Sequence, residues 1–327
     1  MDRRRVIFIF AAGLLAAPLS GFPQKSAKIW HIGYLSGGAR PADDALPAVL
    51  RQALLELGYE VDKNVTYTGR WAEAKPEQLP GMAAELVRLQ VDLLLTQGAP
   101  AAQAAKDATS TIPIVLIAPG DAEGIGLIAS MARPGGNITG ITDMATELSA
   151  KRLELLTQAV PSATHVAVIW NVSDQAMTLR YREVEKAAEL LRITIHPLGV
   201  RKPEDIDDAL STMTQVRPDA FFVVSDALTT INRKRILDFA AAQHIPAMYE
   251  YGHYVRDGGL MSYGPALDDE YRRAATYIDR ILKGARPGDL PVEQPTRYYF
   301  LFNRKTAERL DLVIPPQLLL RADEVIQ

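Results

Sequence analysis

The chain has 327 residues, of which 48% are hydrophobic and 23% are charged, and its formal net charge is −3. These values are typical of a folded protein of one or two domains, and they exclude global disorder and a basic surface for nucleic acid. The sequence contains no cysteine, which excludes disulfides, thiolate metal sites, cysteine nucleophiles and a lipid-modified cysteine anchor.

The N-terminus has the pattern of an export signal. Three arginines at 3–5 precede an apolar run of 14 residues at 6–19. This length suits the hydrophobic region of a signal peptide better than a membrane span, which needs about 20 residues. We therefore expect residues 1–27 to be a signal peptide, cleaved at a site that the sequence leaves open, and the mature protein to be periplasmic. The alternative is a permanent N-terminal anchor helix.

After residue 28, short apolar runs alternate with amphipathic helical patterns. Runs such as VAVIW and AFFVV are typical of strands that are buried on both faces of a parallel sheet. The helical patterns place apolar residues every three or four positions, and two of them stop at Gly58 and Gly284, the residue type that commonly ends helices. Strands are predicted at 29–35, 65–68, 91–96, 112–117, 166–170, 193–198, 220–224 and 247–249.

These β–α units fall into two sets, one from about residue 29 to 117 and one from about 166 to 249. A turn-rich stretch at 132–140 lies between them, and a second crossing is expected near Gly258-Gly259. The pattern predicts an α/β protein of two Rossmann-like lobes with parallel sheets, joined by a multi-segment hinge around a cleft. We expect lobe I at 28–141 plus about 251–297, and lobe II at about 142–250 plus about 298–327.

Features that bear on catalysis, cofactors or metals favour structural roles. Residues 124–129 satisfy G-x-G-x-x-A, but six residues separate them from the preceding strand, so a loop that opens an ordinary helix is favoured over a dinucleotide site. Ser36 lacks one flanking glycine of a nucleophile elbow, and we interpret it as a ligand hydrogen-bonding group or an inert loop residue. The five histidines have no metal-binding spacing, and no Walker lysine motif is present. We predict no metal, no cofactor and no enzymatic activity.

Small and polar residues follow the strands of both sets. Because ligands of open α/β sheets bind at the carboxyl ends of the strands, we predict a ligand site there. Each residue also has a plain structural role as a turn former, helix cap or core residue. The predicted ligand-binding residues are Ser36, Gly37, Gln97, Gly98, Ala99, Asp121, Asn171, Ser225, Asp226 and Tyr249.

The ligand is predicted to be a small zwitterion or carboxylate. Its carboxylate is expected at Ser36 and at the helix start around 98–101, where Pro100 suits the first turn and free amides attract anions. Asp226 of the opposite lobe is expected to bind an ammonium group, and Tyr249 or Tyr251 to cover an apolar or aromatic body. The alternative is that Asp226 only caps the following helix and that the ligand carries no amine.

Nine short stretches form an ordered set over nearly the whole chain after its N-terminal segment: AELV at 84–87, AKDATSTIP at 105–113, ARPGGNITG at 132–140, KRLELL at 151–156, GGLMSYG at 258–264, YRRAA at 271–275, ILKG at 281–284, LPVEQP at 290–295 and RADEV at 321–325. In this order they resemble the periplasmic substrate-binding proteins of ABC transporters that are often described as tryptophan/tyrosine-type. The resemblance implies the type I periplasmic-binding fold with three crossings. It also implies a small-molecule ligand, and a membrane permease and its ATPase subunit as partners.

Two positions depart from the pattern of that family. Ala99 stands where the family often has a threonine, and Asp121 is followed by Ala122-Glu123 where an Asp-Pro pair is usual. Both differences lie in the presumed pocket and bear on the ligand, for which an amino acid or a related carboxylate is expected. Two alternatives to transport are a ligand-sensing binding protein that serves a signalling receptor and an exported Rossmann-type enzyme.

Overall fold

The computed structural model describes residues 28–327, so the predicted signal peptide lies outside the described residues. The strands of this range form two separate sheets. The first sheet has the order β2-β1-β3-β4-β5, and all of its strands are parallel. Its strands are β1 Trp30–Ser36, β2 Val65–Trp71, β3 Leu93–Gln97, β4 Ile114–Ile117 and β5 Ile138–Ile141.

The second sheet has the order β12-β11-β10-β9-β8-β6-β7. Its strands are β6 His165–Asn171, β7 Thr194–Val200, β8 Ala220–Val223, β9 Ala247–Tyr249, β10 Met261–Gly264, β11 Tyr299–Asn303 and β12 Glu324–Ile326. β11 pairs with β10 in the antiparallel sense and with β12 in the parallel sense. The strands β11 and β12, at one edge of the sheet, therefore run in the opposite direction to the other five. The two sheets are thus predominantly parallel, as predicted, and the second has an antiparallel pairing near one edge.

Helices pack on the faces of both sheets. The α-helices are α1 Ala48–Glu56, α2 Leu79–Arg88, α3 Ala99–Ala108, α4 Ser149–Ala159, α5 Gln175–Leu191, α6 Pro203–Val216, α7 Ala227–Ile231, α8 Arg233–Ala242, α9 Gly252–Arg256, α10 Leu267–Leu282, α11 Arg304–Arg309 and α12 Pro316–Arg321. Residues 124–129, expected to open a helix, form turns instead. Among residues 28–327, each helix is too short or too polar to cross a membrane.

Two sets of buried side chains define the lobes. We call the first sheet with α1–α3 and α10 lobe I, and the second sheet with α4–α9, α11 and α12 lobe II. The apolar face of α10, with Tyr271, Ala275 and Ile278, packs with the side chains of β1, β3 and β4. The strands VAVIW and AFFVV are buried on both of their faces, because helices cover each side of the second sheet.

The chain crosses between the lobes at three places. The first crossing follows β5, the second lies between β10 and α10, and the third precedes β11. The second differs from the expected position near Gly258-Gly259. Residues 251–264, expected in lobe I, stay with lobe II because β10 pairs with β9 and β11. The chain therefore returns to lobe I only at 265–266.

Candidate ligand-binding cleft

A cavity of about 280 Å³ lies between the two lobes. Its walls come from the carboxyl ends of β1, β3, β6 and β8 and from the segments that follow them. Lobe I approaches lobe II closely beside it. A Cβ atom added to Gly37 would lie 3.2 Å from the Cβ of Ala227, and one added to Gly120 would lie 3.0 Å from the Cβ of Ala176. The two lobes are therefore in van der Waals contact, as expected for a closed cleft.

The lobe I wall presents neutral hydrogen-bonding groups. Ser36, at the end of β1, donates its hydroxyl hydrogen to Oε1 of Gln97 over 3.1 Å. The buried Tyr34 hydroxyl donates to the same oxygen over 2.7 Å. These bonds orient the Gln97 amide, whose Nε2 has no hydrogen-bond partner among the described residues. Gln97 lines the cavity and can thus donate a hydrogen bond to a ligand.

The start of α3 lies in the same wall. Gly98 precedes the helix with a φ of +83°, a conformation that favours glycine, and Pro100 occupies the first turn, where its missing N–H costs no helical bond. Within the described range, the N–H groups of Ala99 and Ala101 have no backbone acceptor. Free amides at the positive end of a helix dipole suit a carboxylate.

The lobe II wall carries a carboxylate that two neighbours orient. Asp226 caps α7, and its Oδ1 accepts a hydrogen bond from the Thr229 amide over 2.9 Å. Its Oδ2 accepts a hydrogen bond from Nδ2 of Asn171, at the end of β6, over 2.7 Å. The neighbouring Ser225 is buried, and its Oγ has no hydrogen-bond partner among residues 28–327. A fixed carboxylate with remaining lone pairs can bind a cationic group.

A second acid lies in this wall. Asp174 lines the cavity, has 4% relative exposure and caps α5, since its Oδ1 accepts a hydrogen bond from the Ala176 amide over 2.9 Å. Burial, with the nearby charge of Asp226, raises the pKa of Asp174 to about 6. Asp174 was not among the predicted site residues. Its position before an amphipathic helix indicates a cap, but nothing in the sequence indicates its neighbour Asp226, 52 positions away.

A buried network of charges adjoins the cavity, and its Arg180 is among the lining residues. Arg180 of α5 donates to Oδ2 of Asp143 over 2.7 Å and to Oε2 of Glu250 over 2.6 Å. Arg152 of α4 donates to Oε1 of Glu250 over 3.1 Å. Burial alone would raise the pKa of Asp143, but Arg180 and a hydrogen bond from Tyr251 outweigh it and lower that pKa. The network thus sets two arginines against two carboxyl groups.

Lobe I adds one unpaired acid near this network. Glu270 of α10 has 2% relative exposure, and neither of its carboxyl oxygens has a hydrogen-bond partner among the described residues. Burial raises the pKa of Glu270 well above its ordinary value, and the negative charge of Asp143 raises it further. Since a buried carboxylate without a partner is costly, the fold favours the neutral, protonated form of Glu270 over its ionised form.

Eight of the ten predicted site residues line one cavity: Ser36, Gly37, Gln97, Gly98, Ala99, Asn171, Ser225 and Asp226. The other two lie elsewhere. Tyr249 is in the lobe II core, because its ring stacks on Tyr254 of α9 at 4.9 Å between centroids. Asp121 turns back onto its own loop, where its Oδ1 accepts a hydrogen bond from the Gly124 amide over 2.8 Å.

Residues beyond the predicted set complete the cavity. Tyr251 lines it, as one of the two tyrosines considered, and its hydroxyl donates to Oδ2 of Asp143 over 2.7 Å. His253 also lines it, and burial lowers the pKa of His253 to about 4, so the ring is neutral. Apolar side chains fill much of the remaining wall, namely Leu79, Met177, Leu228, Ile231 and Leu267. In the part of the chain that the structure describes, no group of three or more histidines and acids is arranged to hold a metal.

Comparisons with known proteins agree with this architecture. The family model described as ABC transporter substrate binding protein matches residues 39–326. A solved structure from Streptococcus pneumonia, an ABC domain in complex with L-Trp, is similar with 26% identity and a TM-score of 0.84, covering 91% of this chain and 100% of that one. A conserved domain protein from Vibrio cholerae has 26% identity and a TM-score of 0.85, with the same coverage of 91% and 100%.

A curated relative extends the similarity. The tyrosine-binding protein of Clostridioides difficile (strain R20291) is 25% identical over 287 residues, which cover 88% of this chain and 82% of that protein. More distant solute-binding structures share the same two-sheet arrangement. The predicted type I periplasmic-binding fold is confirmed.

Proposed function

Because the chain belongs to the ABC transporter substrate-binding protein family, we propose that it is the extracytoplasmic solute-binding component of an ABC importer. It binds an amino acid or a related carboxylate in the cleft between its lobes and delivers it to a membrane permease, which an ATPase subunit drives. The cleft side chains support binding without catalysis. Ser36 is hydrogen-bonded to the Gln97 amide, which cannot act as a base to activate the hydroxyl.

The observation that carries this proposal is the chemical contrast across the cavity. On one side lie the free amides of α3 and Nε2 of Gln97, which suit a carboxylate. On the other side lies the oriented carboxylate of Asp226, which suits an ammonium group. A zwitterion would bridge the two lobes, so its binding would favour the closed form through contacts that exist only there.

The remaining walls support a ligand with an apolar body. Leucine, isoleucine and methionine side chains line the cavity, and so does Tyr251. One similar protein is in complex with L-Trp and another is named for tyrosine binding. Aromatic amino acids are therefore the first ligands to test, although Ala99 offers no hydroxyl to them.

Four related compounds test the proposal: L-tyrosine, L-tryptophan, tyramine, which lacks the carboxylate, and 3-(4-hydroxyphenyl)propionate, which lacks the amine. A ligand at roughly 100 times its Kd adds about 2.7 kcal/mol to stability, so a thermal shift reports binding. We expect an amino acid to bind more tightly than either truncated compound. Small-angle scattering of the complex should give a radius of gyration no larger than that of the free protein.

Asp226→Asn tests the ammonium partner directly. Asparagine caps helices about as well as aspartate, whereas loss of a charged hydrogen bond should weaken amino acid binding by about 1.5–3 kcal/mol. Calorimetric titration measures this loss, and the affinity for 3-(4-hydroxyphenyl)propionate should not fall. Normal amino acid binding by the variant would refute the zwitterion model and favour a ligand without an amine.

The compartment and the partners are part of the same proposal. A cleaved segment of roughly 20–28 residues, the usual length of a signal peptide, should be missing when the protein from its native host is analysed by mass spectrometry. A role in sensing is the second candidate. Loss of ligand uptake on deletion of the gene supports transport, whereas unchanged uptake with a lost transcriptional response supports sensing.

A further inference from the structure

Asp174 lines the cavity and caps α5 with only one of its two carboxyl oxygens. One oxygen, Oδ1, accepts the helix amides, at 2.9 Å from Ala176 and 3.4 Å from Met177. The other, Oδ2, accepts no hydrogen bond from the described residues and is not among the fully enclosed unpartnered atoms. Because Asp174 lines the cavity, this oxygen is open to a ligand.

Asn171 connects Asp174 to Asp226. Its side-chain Nδ2 donates to Asp226 over 2.7 Å, and its backbone oxygen accepts a hydrogen bond from the Asp174 amide over 3.2 Å. A tight turn from β6 into α5 thus sets the two acids in the same wall. The mutual effect of their charges is part of what raises the pKa of Asp174.

Two arginines also line the cavity, and each forms an ion pair with a carboxylate other than the two acids. Arg180, which lies on the same helix as Asp174 and lowers its pKa, is bound to Asp143 and Glu250. Arg233 of α8 donates to Asp257 over 2.6 Å. The remaining titratable groups of the cavity are His253, which is neutral, and Tyr251, and the lobe I residues that line it carry no charged side chain. The cavity is therefore lined by two acids and by two arginines that are each paired with other carboxylates.

We propose that Asp174 is the second acid of the ammonium subsite and that binding of an amine expels a proton from it. This inference rests on the proposed function. In the free protein Asp174 is partly protonated near pH 6, and the ligand's ammonium group stabilises its ionised form. The carboxyl O–H bond then breaks, the electron pair stays on Asp174, and the proton passes to the solvent.

The sign of the pH dependence follows from this linkage. An ammonium group lowers the pKa of Asp174 in the complex, so the complex binds fewer protons than the free protein between the two pKa values. Affinity for an amine therefore falls as the pH drops below about 6 and levels off above it. A ligand without an amine gains nothing from ionisation of Asp174.

Asp174→Asn provides the test, because asparagine retains the cap and removes the charge. The probes are L-tyrosine and tyramine, titrated calorimetrically at pH 5.5 and pH 7.5 in two buffers of different ionisation enthalpy. For the wild-type protein we expect release of about half a proton or more at pH 5.5 and little at pH 7.5. For the variant we expect no release, and affinity about tenfold weaker at pH 7.5.

Two further variants separate the outcomes. Asp219→Asn makes the same chemical change at the opposite end of β6, where Asp219 accepts the Thr164 and His165 amides, and it should match the wild type. Asp174→Ser keeps a capping side chain and should behave like Asp174→Asn. If neither probe binds the wild-type protein, the proposal of an aromatic amino acid ligand fails and this inference fails with it. If the probes bind and Asp226→Asn weakens them, but Asp174→Asn leaves affinity and proton release unchanged, only this inference is overturned.

Discussion

The two walls of the cleft are built by different chemistry. The lobe I wall uses backbone amides and neutral side chains at the ends of β1 and β3, and its lining residues carry no charge. The lobe II wall carries both acids and arginines, and it adjoins a network in which two arginines are almost completely buried. The comparison shows that a neutral wall can be made from local turns, whereas a charged wall needs partners from distant parts of the chain.

The cost of charge explains this difference. A helix terminus attracts an anion with partial charges that the fold already contains. An ionised side chain inside the protein loses its hydration and must be paired. In lobe II, Arg180 connects the crossing that holds Asp143 with the strand end that holds Glu250. The network thus fixes the charged wall and one hinge segment together.

Removing Arg180, the central cation of the buried network, should destabilise the protein. Arg180→Leu leaves Asp143 without an arginine and leaves Glu250 with Arg152 alone. We expect the free energy of unfolding to fall by about 3–5 kcal/mol, the usual cost of leaving a buried charge uncompensated, and urea denaturation measures it. Arg286→Leu, at a residue whose side chain is 88% exposed, should change stability by about 0.5 kcal/mol or less. A loss below about 1 kcal/mol for Arg180→Leu would show that the network is not needed.

Glu270 tests the cost of a buried acid that lacks a partner. It belongs to lobe I, and it lies near the charged network of lobe II. Its pKa is raised by burial, so the folded protein pays a growing penalty as the pH rises from the ordinary glutamate value toward the raised one. Below the ordinary pKa the penalty vanishes. Glu270→Gln should therefore stabilise the protein by about 1–3 kcal/mol at pH 8 and by less at pH 5.

Its surroundings define the control for that experiment. The pKa of Glu270 depends on the charges of Asp143, Arg180 and Asp269. A negative charge on Glu270 in turn raises the pKa values of Tyr251 and Tyr271. The exposed Glu77 offers the matched change Glu77→Gln, for which thermal unfolding should show no pH-dependent gain. An equal gain for Glu270→Gln at both pH values would contradict a raised pKa.

Ser36→Ala tests the neutral wall and should have the smallest effect. The change removes one neutral hydroxyl and one of the two hydrogen bonds to the Gln97 oxygen, so amino acid affinity should fall by about 0.5–1.5 kcal/mol. The same calorimetric titration used for Asp226→Asn measures it. Thermal unfolding should be nearly unchanged, because Tyr34 still orients Gln97. A larger loss than that of Asp226→Asn would place the dominant contact in lobe I instead of lobe II.

Much of the fold could be predicted, because individual strands and helices are indicated by residues within or next to them. Apolar runs indicate β6 and β8, and glycines indicate the ends of α1 and α10. The candidate site was predicted from one rule, that ligands lie at strand ends, and in the structure Ser36, Gln97, Asn171 and Asp226 line one cavity. Tyr249 also follows this rule in sequence but does not line the cavity, because its ring is stacked on Tyr254 of α9. This helix has only five residues and shows no clear pattern in the sequence.

The rest depends on contacts between distant residues. Arg180 lies in the middle of a helix, and its partners are 37 and 70 positions away. The second crossing was misplaced because the glycines at 258–259 end α9 and do not separate lobes; β10 then pairs with two lobe II strands. Edge strand β12, with three residues, is too short for periodicity to indicate it.

The close approach of Gly37 to Ala227 has a practical consequence for measurement. These two residues stand on opposite lobes beside the cavity, and the sequence has no cysteine to compete with an introduced thiol. A single cysteine at Ala227 can therefore carry one environment-sensitive dye, attached at a defined position. Opening of the cleft would move that dye from protein to water and change its emission. The same geometry that seals a ligand inside would then convert the protein into an optical reporter of that ligand's concentration.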